Sequence, residues 1–111
     1  MAVDQLADAR YRQAFALQQT DRPAEAASIY RSLIETYPRW VNAHYNLAYA
    51  LMTEGRHEAA AAEFARTLEL DPALTAAHFN RAACLDSLGR TAEAQGERAA
   101  YDAAHAATAA R

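Results

Sequence analysis

The stretch Ala43-His44-Tyr45-Asn46-Leu47-Ala48-Tyr49-Ala50-Leu51-Met52-Thr53-Glu54-Gly55-Arg56 decides how this chain folds. Ala43, Leu47, Ala48 and Leu51 recur at i, i+4, i+5 and i+8, which is one face of a helix. Glu54-Gly55-Arg56 interrupts it, and Gly55 is free to take positive φ at the helix end. Downstream, Ala60, Phe64, Thr67 and Leu68 draw a second apolar stripe. Asp71-Pro72 stops that stripe, because proline disfavours helix in the residue before it. The unit is therefore helix, short turn, helix.

The same unit recurs on both sides. Tyr37-Pro38 and Asp71-Pro72 lie 34 residues apart. The same interval separates Leu17, Leu51 and Leu85, then Ala14, Ala48 and Ala82, then Ala26, Ala60 and Ala94, then Tyr11, Tyr45 and Phe79. A period of this length marks a helical solenoid. The expected architecture is all-α, one domain over 1–111, with repeats at about 7–40, 41–74 and 75–108, the last ending in a capping helix. Helices are expected at about 4–20, 24–36, 41–54, 57–69, 75–88 and 91–108. Pro23 suits the first turn of the second helix, where its missing N–H costs nothing. Leu88-Gly89-Arg90-Thr91 repeats the break, with Thr91 as the expected N-cap. Alanines at 14, 48 and 82 facing those at 26, 60 and 94 would let paired helices approach closely. Each pair alone leaves an apolar face bare, and stacking its neighbours buries that face.

These residues resemble the tetratricopeptide repeat family. The middle block matches best, through Leu47-Ala48, Leu51, Gly55, Ala60, Phe64 and Leu70-Asp71-Pro72. The first block keeps Ala14, Leu17, Ala26, Tyr30 and Pro38, but Asp21 replaces the turn glycine. The third keeps Ala82, Leu85, Gly89 and Ala94, while Arg98 stands where an aromatic is usual, as suits a terminal cap. The resemblance covers nearly the whole chain and implies an architecture rather than a ligand.

It also implies that the first helix of each pair lines a concave face that takes a peptide. Carried over residue by residue, that face receives Asp8, Tyr11, Arg12, Phe15, Gln18 and Gln19. It then receives Asn42, Tyr45, Asn46, Tyr49, Met52 and Thr53, and finally Ala76, Phe79, Asn80, Ala83, Asp86 and Ser87. The peptide-binding residues expected among these are Tyr11, Arg12, Phe15, Asn42, Tyr45, Asn46, Tyr49, Met52, Phe79 and Asn80. The spacing speaks for itself in part: Tyr45, Asn46, Tyr49, Met52 and Thr53 form a stripe distinct from Ala43/Leu47/Leu51. The plainer reading is that these aromatics pack on the adjacent helix. Asn46 and Asn80 share one repeat position, and an amide can pair with a peptide unit without reading its side chain. In this they resemble the groove of the O-linked N-acetylglucosamine transferase repeats. Chaperone-tail binders of the family use a two-carboxylate clamp. Of its positions, here Tyr11, Phe15, Asn46, Ala76 and Asn80, only Asn46 matches, so no such clamp is expected.

The 111 residues carry a net charge of −3, and all 11 basic residues are arginine. The charge speaks against a nucleic-acid partner. The missing lysine excludes Schiff-base and phosphate-loop lysine chemistry, and the arginine-only usage is that of a GC-rich, bacterial coding sequence. Cys84 is the only cysteine, so no intramolecular disulfide can form. Neither a basic, apolar leader nor a membrane-length apolar run appears, and a cytoplasmic protein is expected. His44 and His78 share a repeat position but bring no third ligand with them, so core or boundary roles are expected and no metal. His57 and His105 stand alone. Ser28, Ser32 and Ser87 lie in no nucleophile setting. Cys84 falls where a small packed residue belongs. Trp40 is expected to pack at the start of the second pair.

The function expected is a protein–protein interaction module, an adaptor or scaffold, holding a peptide or helix of a partner in the concave groove. No enzyme activity, cofactor, nucleic acid or membrane is expected. The competing reading is a self-assembling scaffold, a homo-oligomer built through terminal-helix or repeat stacking.

Overall fold

The computed structural model describes residues 4–109. They form α1 (Gln5–Gln19), α2 (Pro23–Thr36), α3 (Val41–Thr53), α4 (His57–Leu70), α5 (Thr75–Ser87) and α6 (Thr91–Ala109), with no strand among them. Each helix starts and stops within one residue of its expected bounds. The agreement is local chemistry. Pro23 is the first residue of α2, where its fixed φ already suits the helix. Asp4 caps α1: its carboxylate accepts from the Ala7 amide at 2.7 Å and from the Tyr37 hydroxyl at 2.7 Å. Those two bonds hold the Asp4 carboxyl below its ordinary value. Thr91 is not the cap of α6, because the helix already includes it; the cap position falls on Arg90, the third of three arginines at the same place, after Arg22 and Arg56.

The turn inside each pair is one motif used three times. The amides of Arg22, Arg56 and Arg90 reach back to the carbonyls of Leu17, Leu51 and Leu85 at 2.9, 2.9 and 2.8 Å. This bond closes only if the residue before the arginine is left-handed. Gly55 and Gly89 do so at φ 79° and 76°, and Asp21 is held there at φ 61°. An L-residue with a side chain strains in that region, although Asp tolerates it better than most.

Packing follows from the small residues. Ala14, Ala26, Ala48, Ala60, Ala82 and Ala94 are all buried at the crossings within the pairs. Around them Tyr30, Leu33, Leu51, Phe64 and Leu85 fill the core, each fully buried side chain contributing about 1.5–3 kcal/mol. A polar clamp ties helix to helix at the rim. The His44 ring lies 2.9 Å from the Glu63 carboxylate and 2.8 Å from the Pro38 carbonyl. His78 repeats it with Glu97 at 2.7 Å and Pro72 at 3.4 Å. In the first pair Arg10 donates to Ser32 at 3.0 Å instead. His44 is thus a buried residue and His78 a partly exposed one, and each joins the two helices of its pair.

The direction of curvature is visible in which helices meet. α1 touches α3 and α3 touches α5, whereas α2, α4 and α6 do not touch one another. The first helices of the pairs therefore close ranks on the inside of the bend. α6 runs on past residue 104, where a 34-residue shift of the α4 end would stop it.

Equivalent turn positions should respond with opposite sign. Asp21→Gly is expected to stabilise the chain by up to about 1 kcal/mol by releasing left-handed strain, and Gly55→Ala to destabilise it by about 1 kcal/mol. Chemical denaturation monitored by helical circular dichroism reads both.

Candidate functional site: an inner helical wall

α1, α3 and α5 line the inside of the bend, and their outward residues sort into two groups. Phe15, Tyr49 and Phe79 are open to solvent at 46, 43 and 57%. Arg12 and Asn42 are exposed beside them. Tyr11, Tyr45, Asn46, Met52 and Asn80 are half-buried, and the tyrosines and Met52 pack on the core. Large exposed rings in a concavity are uncommon on a surface with no partner.

The half-buried group has intramolecular work. The Asn46 amide donates to the Tyr11 hydroxyl at 2.6 Å, and the Asn80 amide to the Tyr45 hydroxyl at 2.8 Å. Each bond crosses from one pair to the next, so the asparagines act as rungs between repeats. A rung uses one amide N–H; the carbonyl oxygen and the second N–H take no part in it. Burial pushes the Tyr11 and Tyr45 hydroxyls above their ordinary values, so both stay protonated. Each keeps its own proton to donate.

The rings are fixed as well. Tyr11 is stacked on Trp40 at 4.9 Å and meets Tyr30 edge-on at 5.7 Å. Tyr45 meets Phe64 edge-on at 5.6 Å. Trp40 lies against Tyr37 too, at 5.9 Å. Gln18 accepts from the Tyr30 hydroxyl at 2.7 Å, and Arg12 is paired with Asp8 at 2.7 Å on the surface of α1.

Tyr101 is a contributor that the sequence reading passed over. It packs on Phe79 at 5.8 Å and lines a recess of about 360 Å³ with Thr75, Ala76, Phe79 and Asn80. Its signal was available, since Leu33 and Thr67 precede it at the repeat interval and are buried. His105, which looked isolated, stacks on Tyr101 at 6.1 Å.

The remaining chemistry is structural. Cys84 is buried, and burial raises its thiol above the ordinary value, away from the reactive thiolate. Among the described residues, no three His, Cys, Asp or Glu side chains converge as a metal site would require. No helix there is long and apolar enough to cross a membrane.

The sequence pattern of the tetratricopeptide repeat matches residues 11–75, more than half of the chain, and the chain belongs to that family, one of protein-interaction modules. Its fold is similar to the crystal structure of MamA, with TM-score 0.90 at 19% identity over 95% of this chain and 61% of that one. It is similar to the CopN–Scc3 complex, with TM-score 0.89 at 14% identity over 92% and 60% of the two chains. The second TPR of Spaghetti (RPAP3), bound to the HSP90 peptide SRMEEVD, superposes with TM-score 0.82 at 18% identity over 87% and 90%. The chain thus spans less than two thirds of the MamA and CopN–Scc3 chains. At these identities the likeness is one of fold. No curated protein sequence matches it.

The rungs should be measurable as couplings. Tyr11→Phe and Asn46→Ala are each expected to cost about 1 kcal/mol, and the double variant less than their sum by about 0.5–1.5 kcal/mol. A double-mutant cycle by denaturant titration checks this; strict additivity would mean that the bond contributes nothing.

Proposed function

We propose that the chain is an adaptor whose inner wall holds an extended or helical segment of a partner protein. The observation that carries this reading is the exposure of Phe15, Tyr49 and Phe79 along α1, α3 and α5, beside an ordered row of Tyr–Asn rungs. Rigid aromatic rings give contact area at small entropic cost. Asn46 and Asn80 hold unspent amide groups at fixed positions, where a peptide backbone can pair with them.

The partner segment is apolar or aromatic rather than an acidic chain end. Of the residues carried over onto the wall, Arg12 is the one cation, and Asp8 is already its partner. The Spaghetti domain is bound to a peptide ending in Glu-Glu-Val-Asp; the basic positions that a carboxylate clamp needs are here Tyr11, Ala76 and Asn80. The interior of the wall discriminates by shape, through pockets between the rings, at about 1–2 kcal/mol or more per well-buried aromatic anchor.

Exposed rings make the better test, because the half-buried tyrosines also hold the fold. A binder is selected from a peptide library and titrated calorimetrically. Phe15→Ala/Tyr49→Ala is expected to weaken it at least about tenfold with helicity unchanged. Ser28→Ala on α2 is expected to leave affinity intact. A folded double variant with full affinity would remove the inner wall from the binding site.

A further inference from the structure

The two ends of the chain carry the two halves of its internal junctions. At the starts of α3 and α5, Trp40 and Leu74 pack against the core. Leu6, at the same repeat position in α1, is 72% exposed. Ala43, Ala50, Ala77 and Cys84 are fully buried on α3 and α5, while their counterparts Ala9 and Ala16 on α1 are exposed. Among the described residues, α3 and α5 have a preceding helix pair and α1 has none. The other end mirrors this. Tyr11 and Tyr45 are half-covered by the pair that follows, and Phe79, on the last of the three described pairs, is 57% exposed.

We propose that a second copy of this chain docks head to tail, its α1 seated on Phe79 and Tyr101 of the first as α3 is seated on the first pair, where Tyr11 and Leu33 hold the same repeat positions. The contact continues an interface already built twice within the chain. Leu6 arrives over Phe79 as Trp40 lies over Tyr11 at 4.9 Å. The end residues also change in concert. Inside, an asparagine amide meets a tyrosine hydroxyl. At the ends the asparagine position is Arg12 and the tyrosine position is Phe79, which has no hydroxyl to receive an amide. A guanidinium over a phenyl face is a favourable substitute. Asp102 lines the same recess as Phe79 and Tyr101, so the incoming Arg12 exchanges its exposed bridge to Asp8, of the kind worth little in water, for a carboxylate beside the ring. Arg98 does not repel it, because Asp86 is already its partner.

Such a contact joins two different surfaces and does not close on itself, so it extends the solenoid from copy to copy. The junction shares Phe79 and Arg12 with the inner wall but uses neither Phe15 nor Tyr49, so Leu6→Glu reports on assembly and Phe15→Ala/Tyr49→Ala on the groove.

Sedimentation velocity and light scattering over a wide concentration series test it. The wild type is expected to grow in mass with concentration. Leu6→Glu and Phe79→Glu, both exposed positions, are each expected to stay monomeric and fully helical. Mixed in equal amounts, they are expected to give a one-to-one dimer that grows no further, through the one intact face that each retains. Asp102→Arg blocks the second face by charge if Phe79→Glu folds poorly. Arg12→Glu is expected to weaken assembly about tenfold, and Arg12→Glu/Asp102→Arg to recover it. A wild type that is monomeric throughout, assembly indifferent to Leu6→Glu, or a mixture that forms no dimer would each overturn the proposal.

Discussion

Close approach of the two helices within a pair is the constraint that everything else in this chain depends on. Alanine at 14 against 26, 48 against 60 and 82 against 94 brings the backbones together without leaving room for anything larger. Beside these crossings Tyr30 meets Tyr11 and Phe64 meets Tyr45 across their own pairs, edge-on at 5.7 and 5.6 Å. Each pair also has an apolar flank that only the next pair can cover. Stacking covers that flank, and the bend follows because the first helices meet on one side while the second helices stay apart.

The inner wall inherits its properties from that bend. Side chains on its crest, such as Phe15 and Tyr49, have no neighbour within the chain to cover them. Those one turn nearer the junction, Tyr11 and Tyr45, are captured by Asn46 and Asn80. Each asparagine rung orders the wall through one amide N–H, and its carbonyl oxygen and second N–H take no part in that bond. A groove whose polar groups are already held by covalently distant partners is preorganised, which lowers the entropic cost of binding.

The ends of the stack differ from its middle through the absence of a neighbour, and the sequence responds unequally. On the last pair, Gln95, Arg98 and Asp102 occupy positions that are apolar or buried in earlier pairs, and Arg98 meets Asp86. On the first pair, α1 keeps Leu6, Ala9 and Ala16 in the pattern of an internal helix. The end bearing α6 is partly made for water, whereas α1 exposes apolar residues at positions that are covered in α3 and α5.

How much of this could be read in advance divides along sequence distance. Helix bounds were legible because their causes lie within a few residues: Pro23 opening a helix, Gly55 and Gly89 permitting a left-handed turn, Pro38 and Pro72 ending one. Asp21 at a glycine position was legible as a departure, and the backbone there kept the turn and left the strain. The repeat interval then determined the all-helical stack and the alanine crossings. The rungs joining Asn46 to Tyr11 and Asn80 to Tyr45 were not legible, and neither were the ties of His44 to Glu63 and Pro38. Such contacts depend on the superhelical angle between units, which no local pattern encodes. The division of the wall into exposed rings and captured ones was settled by the tertiary structure for the same reason. Tyr11 and Phe15 sit on one helical stripe, and only the position of the following pair determines which of them meets a partner.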